Sequence, residues 1–255
     1  MDMAIDAIIF DKDGVLLDLN QTWFMTICNI AKHTEGLING RVTHRAFLAA
    51  IGVELDADGK SGRVLENGAY ATGTYGSLMP LWSALDPALG DIMETAAYKQ
   101  DMMDIAVKSV AGQTVAKGDI LTPLMALKAA GYKLGVVTND GDDTTAINMA
   151  DLGLNDVMDI VITADSGHGR KPDAGGILAC CAALGTTPDR AVMIGDTHAD
   201  HDAAIAAGCQ HVIAITDTAP AIPDFMPKSS YAIASCADLP ALIAHLTACH
   251  ALVTN

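Results

Sequence analysis

Two periodicities divide this chain. Short apolar runs that end abruptly in polar residues alternate with longer stretches whose apolar positions recur at helical spacing. The first run, Ala7–Phe10, carries no charge and gives way at once to Asp11, Lys12, Asp13 and Gly14. Such a run suits a parallel strand buried on both faces. Strands are also predicted at Lys133–Thr138, Ile160–Thr163, Ala191–Ile194 and His211–Ile215, with a last one at Tyr231–Ala234. Pro123–Ala130, Thr144–Leu152, Gly175–Leu184, Asp200–Ala207 and Leu239–Ala248 read as helices; Gly131, Gly153 and Gly208 stop three of them. Thr216–Lys228, with Pro220, Pro223 and Pro227, reads as a surface loop. Strands alternating with helices predict an α/β fold with a Rossmann-like parallel sheet covered on both faces.

That alternation is interrupted almost as soon as it begins. Leu19–His33 carries Trp23, Phe24, Ile27, Ile30 and Ala31 at helical spacing, and Glu35–Gly40 breaks it. Val42–Ile51 reads as a second helix. Leu55–Ser77 holds Gly59, Gly62, Gly68, Gly73 and Gly76 among polar residues, so it reads as a long mobile connection. It is not a phosphate loop, because no strand precedes it and no Walker lysine–serine pair follows. Met79–Val110 is helical again, with Pro80 and Pro87 as boundaries. The expected organisation is an α/β core from residues 1–19 and 112–255, carrying a helical insert at 20–111.

The chain has 255 residues, 51% of them hydrophobic, and a formal net charge of −16. That charge argues against sequence-independent nucleic-acid binding and against docking on anionic membranes. A small anionic substrate stays admissible, because a metal and a few cations reverse the field inside a cleft. The start MDMAIDAIIFDKD lacks the basic n-region of a signal peptide, and no run is clean and long enough to span a bilayer. Cys28, Cys180, Cys181, Cys209, Cys236 and Cys249 show no CxxC spacing. Reduced core thiols and a cytoplasmic location are the expectation.

The candidate chemistry lies at the strand ends. Asp11 and Asp13 alternate along an extended chain and so point roughly the same way. Their mutual repulsion calls for a positive charge, most simply a hard divalent cation with oxygen ligands. The Asp-x-Asp-Gly pattern also occurs in calcium loops, but those are flanked by helices. Thr138 and Asn139 follow a second strand and by themselves read as helix caps. Lys171, before Pro172, alone reads as a solvated loop lysine. Asp196, Asp200 and Asp202 alone favour a helix N-terminus. In a parallel sheet, however, the carboxyl ends of the strands are where ligands bind, and all four clusters fall there. Together they suit phosphoryl transfer: cations neutralise the phosphate oxygens, one carboxylate attacks phosphorus, and a second serves the leaving oxygen.

The order of these clusters resembles the haloacid dehalogenase superfamily in its phosphatase branch. The motifs are DKDGVLLD at Asp11–Asp18, VVTND centred on Thr138, the Lys171–Pro172 pair, and IGDTHADHDAAIAAG from Ile194 to Gly208. The likeness is greatest to phosphoglycolate phosphatase-like members with a helical cap after the first motif, which fits the insert at 20–111. The resemblance implies that Asp11 is the nucleophile and Asp13 the general acid/base. It implies that Thr138 binds the transferring phosphoryl group with Asn139 beside it, and that Lys171 offsets charge between nucleophile and phosphate. Mg2+ would be held by the Asp11 carboxylate, the Asp13 backbone carbonyl and Asp196, while Asp200 acts through water or by orienting Lys171. The implied partner is a small phosphorylated metabolite such as phosphoglycolate or a sugar phosphate.

There are departures from the pattern. Asp140 stands where many phosphoglycolate phosphatases carry lysine, and Ala174 follows Asp173 where proline is common. Trp23 replaces the histidine of the family's sugar phosphomutases, and Asp13 disfavours the dehalogenase and phosphonate-cleaving branches. A phosphomutase using the same aspartyl-phosphate is the second reading, and a non-enzymatic phosphoaccepting signalling module the third. Arg41, Arg45, Lys60 and Arg63 in the insert are candidates for binding an acidic substrate.

Overall fold

The computed structural model describes residues 5–59, 61–65, 68–72, 75–216 and 231–253. In chain order the elements are β1 (Ala7–Phe10), α1 (Leu19–Leu37), α2 (His44–Ala50), β2 (Val53–Leu55), β3 (Gly62–Val64), α3 (Ala69–Thr72), α4 (Tyr75–Ser83), α5 (Ala88–Glu94) and α6 (Ala96–Val110). They continue with α7 (Leu121–Ala129), β4 (Lys133–Val137), α8 (Asp142–Asp151), β5 (Ile160–Ile162), α9 (Gly175–Leu184), β6 (Ala191–Gly195), α10 (His198–Ala207), β7 (His211–Ile215), β8 (Tyr231–Ile233) and α11 (Leu239–Val253). Two compact units result. One is built from the chain up to Asp18 and from Val115 onward; the other is Leu19–Thr114.

The first unit is an α/β fold around a parallel sheet of order β5-β4-β1-β6-β7-β8. The central strand is β1: Ala7 lies opposite both Lys133 and Ala191, and Phe10 opposite both Val136 and Ile194. All of β1 is buried, which is why its sequence is apolar without alternation. Burying side chains such as Ile8, Ile9 and Phe10 contributes about 1.5–3 kcal/mol each. Ile9, Val137, Ile177, Cys180, Met193, Ala203 and Val212 belong to one continuous core. Gly135 lets α9 come close to β4, since a Cβ there would lie 2.4 Å from the Cys180 thiol sulfur. Burial pushes the Cys180 thiol well above its ordinary pKa and Cys181 up to about 11, so both are packing residues rather than reactive thiols. Later strands join β1 on both sides, β4 on one and β6 on the other, so the connectivity reverses at β1 and leaves a crevice at its carboxyl end.

The second unit has its own core, in which Phe47, Trp82 and Tyr98 are the largest buried side chains. The Trp82 indole N–H donates to the Phe47 carbonyl at 2.9 Å, and Tyr98 and Thr34 hydroxyls meet at 2.9 Å. Its structure corrects the sequence reading in three places. The first helix continues through Glu35 to Leu37. Leu55–Ser77 is not simply a connection: β2 and β3 form an antiparallel hairpin, followed by α3 and the start of α4. The insert is therefore helical with a hairpin. Pro80 is no boundary but sits inside α4, where Leu78 and Trp82 are buried on either side and hold the helix across it. Residue 60 and most of Thr216–Lys228 lie outside the described residues.

At the amino end of the sheet Asp6 ties several elements together. Its N–H donates to the Arg190 carbonyl at 2.8 Å and its carbonyl accepts from the Lys133 N–H at 2.9 Å. Its carboxylate accepts from Arg190 Nε at 2.5 Å and Nη2 at 2.7 Å, and from the Thr186 hydroxyl at 3.2 Å. The Arg190 bonds hold the Asp6 carboxyl below the usual carboxylate range despite partial desolvation. A depressed acid stabilises the fold above its unfolded pKa, and that contribution disappears as pH falls through the folded value. We expect Asp6→Asn to lower stability at pH 7 by about 1 kcal/mol or less, since the pair is partly solvated. The gap between variant and wild type should close as pH falls below the ordinary carboxylate range of about 3.8–4. Urea unfolding at pH 7 and pH 3 reads both; a gap unchanged by pH would show that the charge of Asp6 is not what matters.

Candidate active site

Asp11 directly follows β1 and extends its ladder, its N–H donating to the Ile194 carbonyl at 2.8 Å. The chain then turns sharply. The Gly14 N–H reaches the Leu17 carbonyl at 3.0 Å, and the Leu16 and Leu17 N–H groups both reach the Lys12 carbonyl. Leu17 bridges to Ala116, which anchors the turn against the returning chain. Gly14 takes a φ of +73°, which an L side chain rarely adopts. It also has no room: a Cβ there would lie 1.9 Å from Asp196 Oδ2.

The strand ends on either side of β1 complete the cluster. Lys171 Nζ lies 2.6 Å from Asp11 Oδ1 and 2.6 Å from Asp200 Oδ1, and all three side chains are buried. The other oxygen of Asp200 accepts from the N–H of Thr197 at 3.0 Å and from its hydroxyl at 2.7 Å, at the start of α10. Asn139 sets Lys171 in place from the main chain: its amide nitrogen donates to the Lys171 carbonyl at 2.9 Å and its oxygen accepts from the Lys171 N–H at 2.8 Å. Thr138 is buried, and its hydroxyl accepts from the Asp140 N–H at 3.2 Å. The expected residues Asp11, Asp13, Thr138, Asn139, Lys171 and Asp196 fall in loops after β1, β4, β5 and β6, and Asp200 in the first turn of α10, at the carboxyl edge of one sheet.

The electrostatics are those of a site short of positive charge. Burial and the Asp200 carboxylate raise the Asp11 carboxyl to about 7, against the pull of Lys171. Burial, Asp11 and Asp200 push the Asp196 carboxyl well above its ordinary value. Burial alone would lower the Lys171 ammonium, but Asp11 and Asp200 outweigh it and hold its pKa above the ordinary lysine value. Oxygens of Asp11, Asp196 and Asp200 lie within 4.8 Å of one another, close enough to hold one metal ion. Asp196 Oδ1 is buried with no hydrogen-bond partner among the described residues, whereas both Asp200 oxygens are engaged. The donors are all carboxylate oxygens, which suits Mg2+ better than zinc. The residues therefore fit a magnesium ion, with Asp196 better placed than Asp200 to coordinate it directly.

One member of the cluster escaped the sequence reading. Lys12, between the two acids of the first motif, is fully buried. Its Nζ lies 2.8 Å from Asp13 Oδ2, 2.8 Å from Asp140 Oδ2 and 2.8 Å from Asn148 Oδ1. Burial would lower its pKa; Asp13 and Asp140 outweigh this and hold it above the ordinary lysine value, so it is charged. The signal was Asp140, noted as a departure from the family pattern with no partner assigned. In the second unit, Arg41 pairs with Asp86 at 2.6 Å, Arg45 donates to the Leu55 and Asp56 carbonyls, and Arg63 pairs with Glu54. Arg45 and Arg63 line a cavity of about 580 Å3 with Val53, Leu55 and Gly62. Lys60 lies outside the described residues.

We expect Gly14→Ala to force Asp196 aside and to cost about 1–2 kcal/mol for the left-handed backbone alone. Thermal unfolding reads the second effect, and calorimetric titration with Mg2+ the first. Unchanged cation affinity in a folded Gly14→Ala variant would remove Asp196 from the metal site.

The family model of the haloacid dehalogenase-like hydrolases matches residues 8–214. A curated relative, pyrophosphatase PpaX of Bacillus pumilus, is 26% identical over 207 residues, 80% of this chain and 81% of its own length. Phosphoglycolate phosphatase of Nitrosococcus oceani is 38% identical over a shorter stretch, 34% of this chain and 38% of its own length. Among solved structures, a HAD phosphatase from Thermococcus onnurineus superposes with a TM-score of 0.63 at 19% identity, covering 94% of this chain and 98% of that one. A 2-haloacid dehalogenase from Pseudomonas syringae gives 0.63 at 18% identity, covering 95% and 99%. These structures share the fold, and the fold alone does not choose the reaction. The chain belongs to the haloacid dehalogenase-like hydrolase family.

Proposed function

We propose that this protein is a magnesium-dependent phosphatase that hydrolyses a small phosphorylated metabolite through an aspartyl-phosphate. The observation that carries the reading is the Asp11 carboxylate at the end of the central strand, 2.6 Å from the buried Lys171 ammonium and beside Asp196. An Asp11 oxygen attacks phosphorus, and the bond from phosphorus to the leaving oxygen breaks. Asp13 gives that oxygen a proton, then takes one from the water that hydrolyses the aspartyl-phosphate. Thr138 donates its hydroxyl to a phosphoryl oxygen. Lys171 neutralises charge between nucleophile and phosphate, held there by Asp200 and by the main-chain clamp of Asn139. Asp11, Asp196 and the Asp13 carbonyl hold Mg2+, which supplies further charge neutralisation of the phosphoryl oxygens.

Support for the phosphatase class comes from the names of the curated relatives, a pyrophosphatase and phosphoglycolate phosphatases. The second reading, a phosphomutase, shares every residue up to the aspartyl-phosphate and differs in what receives the phosphoryl group. Assay of a sugar monophosphate separates them, by release of free phosphate or by formation of an isomer. Leu19–Thr114 contains none of the residues given a chemical role, so in this reading it is the cap that selects the substrate.

We expect Asp11→Asn, checked for deamidation, to retain the fold by circular dichroism and to lose turnover by at least about a thousandfold, because the amide cannot attack phosphorus. Near-normal steady-state hydrolysis would remove Asp11 as nucleophile. Activity should also vanish on exhaustive chelation and return with Mg2+, and Asp196→Ala should need far more Mg2+ for half-maximal rate. Full activity in the chelated enzyme would refute the metal requirement.

A further inference from the structure

The phosphatase reading assigns work to every charged group at the end of β1 except Lys12. Among the described residues this lysine is the most deeply buried cation, with a side chain of 0% exposure. An ammonium has three N–H donors, and here three side-chain acceptors receive them, each at 2.8 Å. The acceptors come from three different places. Asp13 is in the turn after β1, Asp140 is in the loop after β4, and Asn148 is in the body of α8. Two of these are themselves fixed. Asn148 is fully buried. Asp140 is pinned at its main chain, its N–H reaching the Thr138 hydroxyl at 3.2 Å and its carbonyl accepting from Ala164 at 2.8 Å. Lys12 therefore ties one oxygen of Asp13, whose side chain is 20% exposed, to the fully buried Asn148 and to Asp140, which is held at its main chain while its side chain is 35% exposed.

We propose that Lys12, braced by Asp140 and Asn148, is a positioning residue that fixes the orientation of the Asp13 carboxyl toward the leaving oxygen. This rests on the phosphatase reading above and deepens it. A buried ion pair is poor evidence of stabilisation, because desolvation offsets most of the Coulomb gain. What such a cluster does supply is a fixed geometry, and the partner with a chemical task is Asp13. Orientation of the acid matters in the step where the bond from phosphorus to the leaving oxygen breaks as the bond from Asp11 forms. The leaving oxygen then takes the Asp13 proton, leaving Asp13 as carboxylate. An ester whose leaving group is already stable as an anion needs little help there, and one whose leaving group is basic needs much.

The test compares p-nitrophenyl phosphate with phenyl phosphate, which have similar bulk and leaving groups of very different basicity. The readout is kcat/KM in the presence of Mg2+, which reports on steps up to phosphoryl transfer. Asp13→Asn sets the full size of the bias. Lys12→Met and Asp140→Asn should each lose about tenfold more rate on phenyl phosphate than on p-nitrophenyl phosphate. The double variant K12M/D140N removes both charges of the pair, so it leaves no uncompensated ammonium or Asp140 carboxylate. It should keep the same bias even where its thermal midpoint recovers. Should Lys12→Met fail to fold, Asp140→Asn and the double variant carry the same comparison. Equal losses on the two esters, no loss, or losses that disappear in the double variant would each overturn the positioning role. Were the wild-type enzyme to turn over no phosphate ester at all, the phosphatase reading would fall first, and this one with it.

Discussion

The rest of the structure depends on carboxylates gathered in one buried place. Asp11, Asp196 and Asp200 bring oxygens within 4.8 Å of one another at the end of the central strand. Folding alone does not favour this, since desolvation and mutual repulsion both act against ionising them, and the raised Asp11 and Asp196 carboxyls express that cost. An acid whose folded pKa lies above its unfolded value destabilises the fold as pH rises and it ionises. Lys171 relieves the strain in part, sharing its ammonium between Asp11 and Asp200. The remaining deficit falls on Asp196, whose buried Oδ1 has no hydrogen-bond partner among the described residues. A bound cation that prefers oxygen ligands would stabilise the folded state by the same interaction that serves the chemistry.

Much of this was legible because the sheet is parallel. In a parallel sheet every strand ends on the same edge, so polar residues after successive apolar runs must converge even when far apart in sequence. Asp11, Thr138, Lys171 and Asp196 obey that rule. Lys12 did not stand out because its meaning lies in partners 128 and 136 residues away. Read locally it is a spacer between two acids. Asn139 hides its partner in the same way: nothing beside Thr138 in the sequence announces that its side-chain amide bonds the Lys171 main chain through both its nitrogen and its oxygen.

In the inserted unit, the sequence conveyed helical periodicity but not the hairpin. Strands of three residues are too short to show alternation, and their glycines read as loop residues. Gly62 is there because β3 runs against β2 with no room for a side chain: a Cβ would lie 2.0 Å from the Glu54 carbonyl oxygen. Pro80 misled for the opposite reason. Its local preference is to end a helix, and burial of Leu78 and Trp82 overrides it.

The same crowding explains why the site and the fold cannot be varied independently. Gly195 ends β6, and a Cβ there would lie 2.3 Å from the Cβ of Asp200. That gap lets α10 begin so close to the strand that Asp200 serves two ends at once. One carboxylate oxygen caps the helix through Thr197, and the other anchors Lys171. Gly14 makes the equivalent gap for Asp196. Two missing side chains thus set the spacing of the acids. A residue such as Asp200, which the helix needs as a cap and the site needs as a counter-charge, ties the precision of the site to the stability of the strand-to-helix turn that presents it.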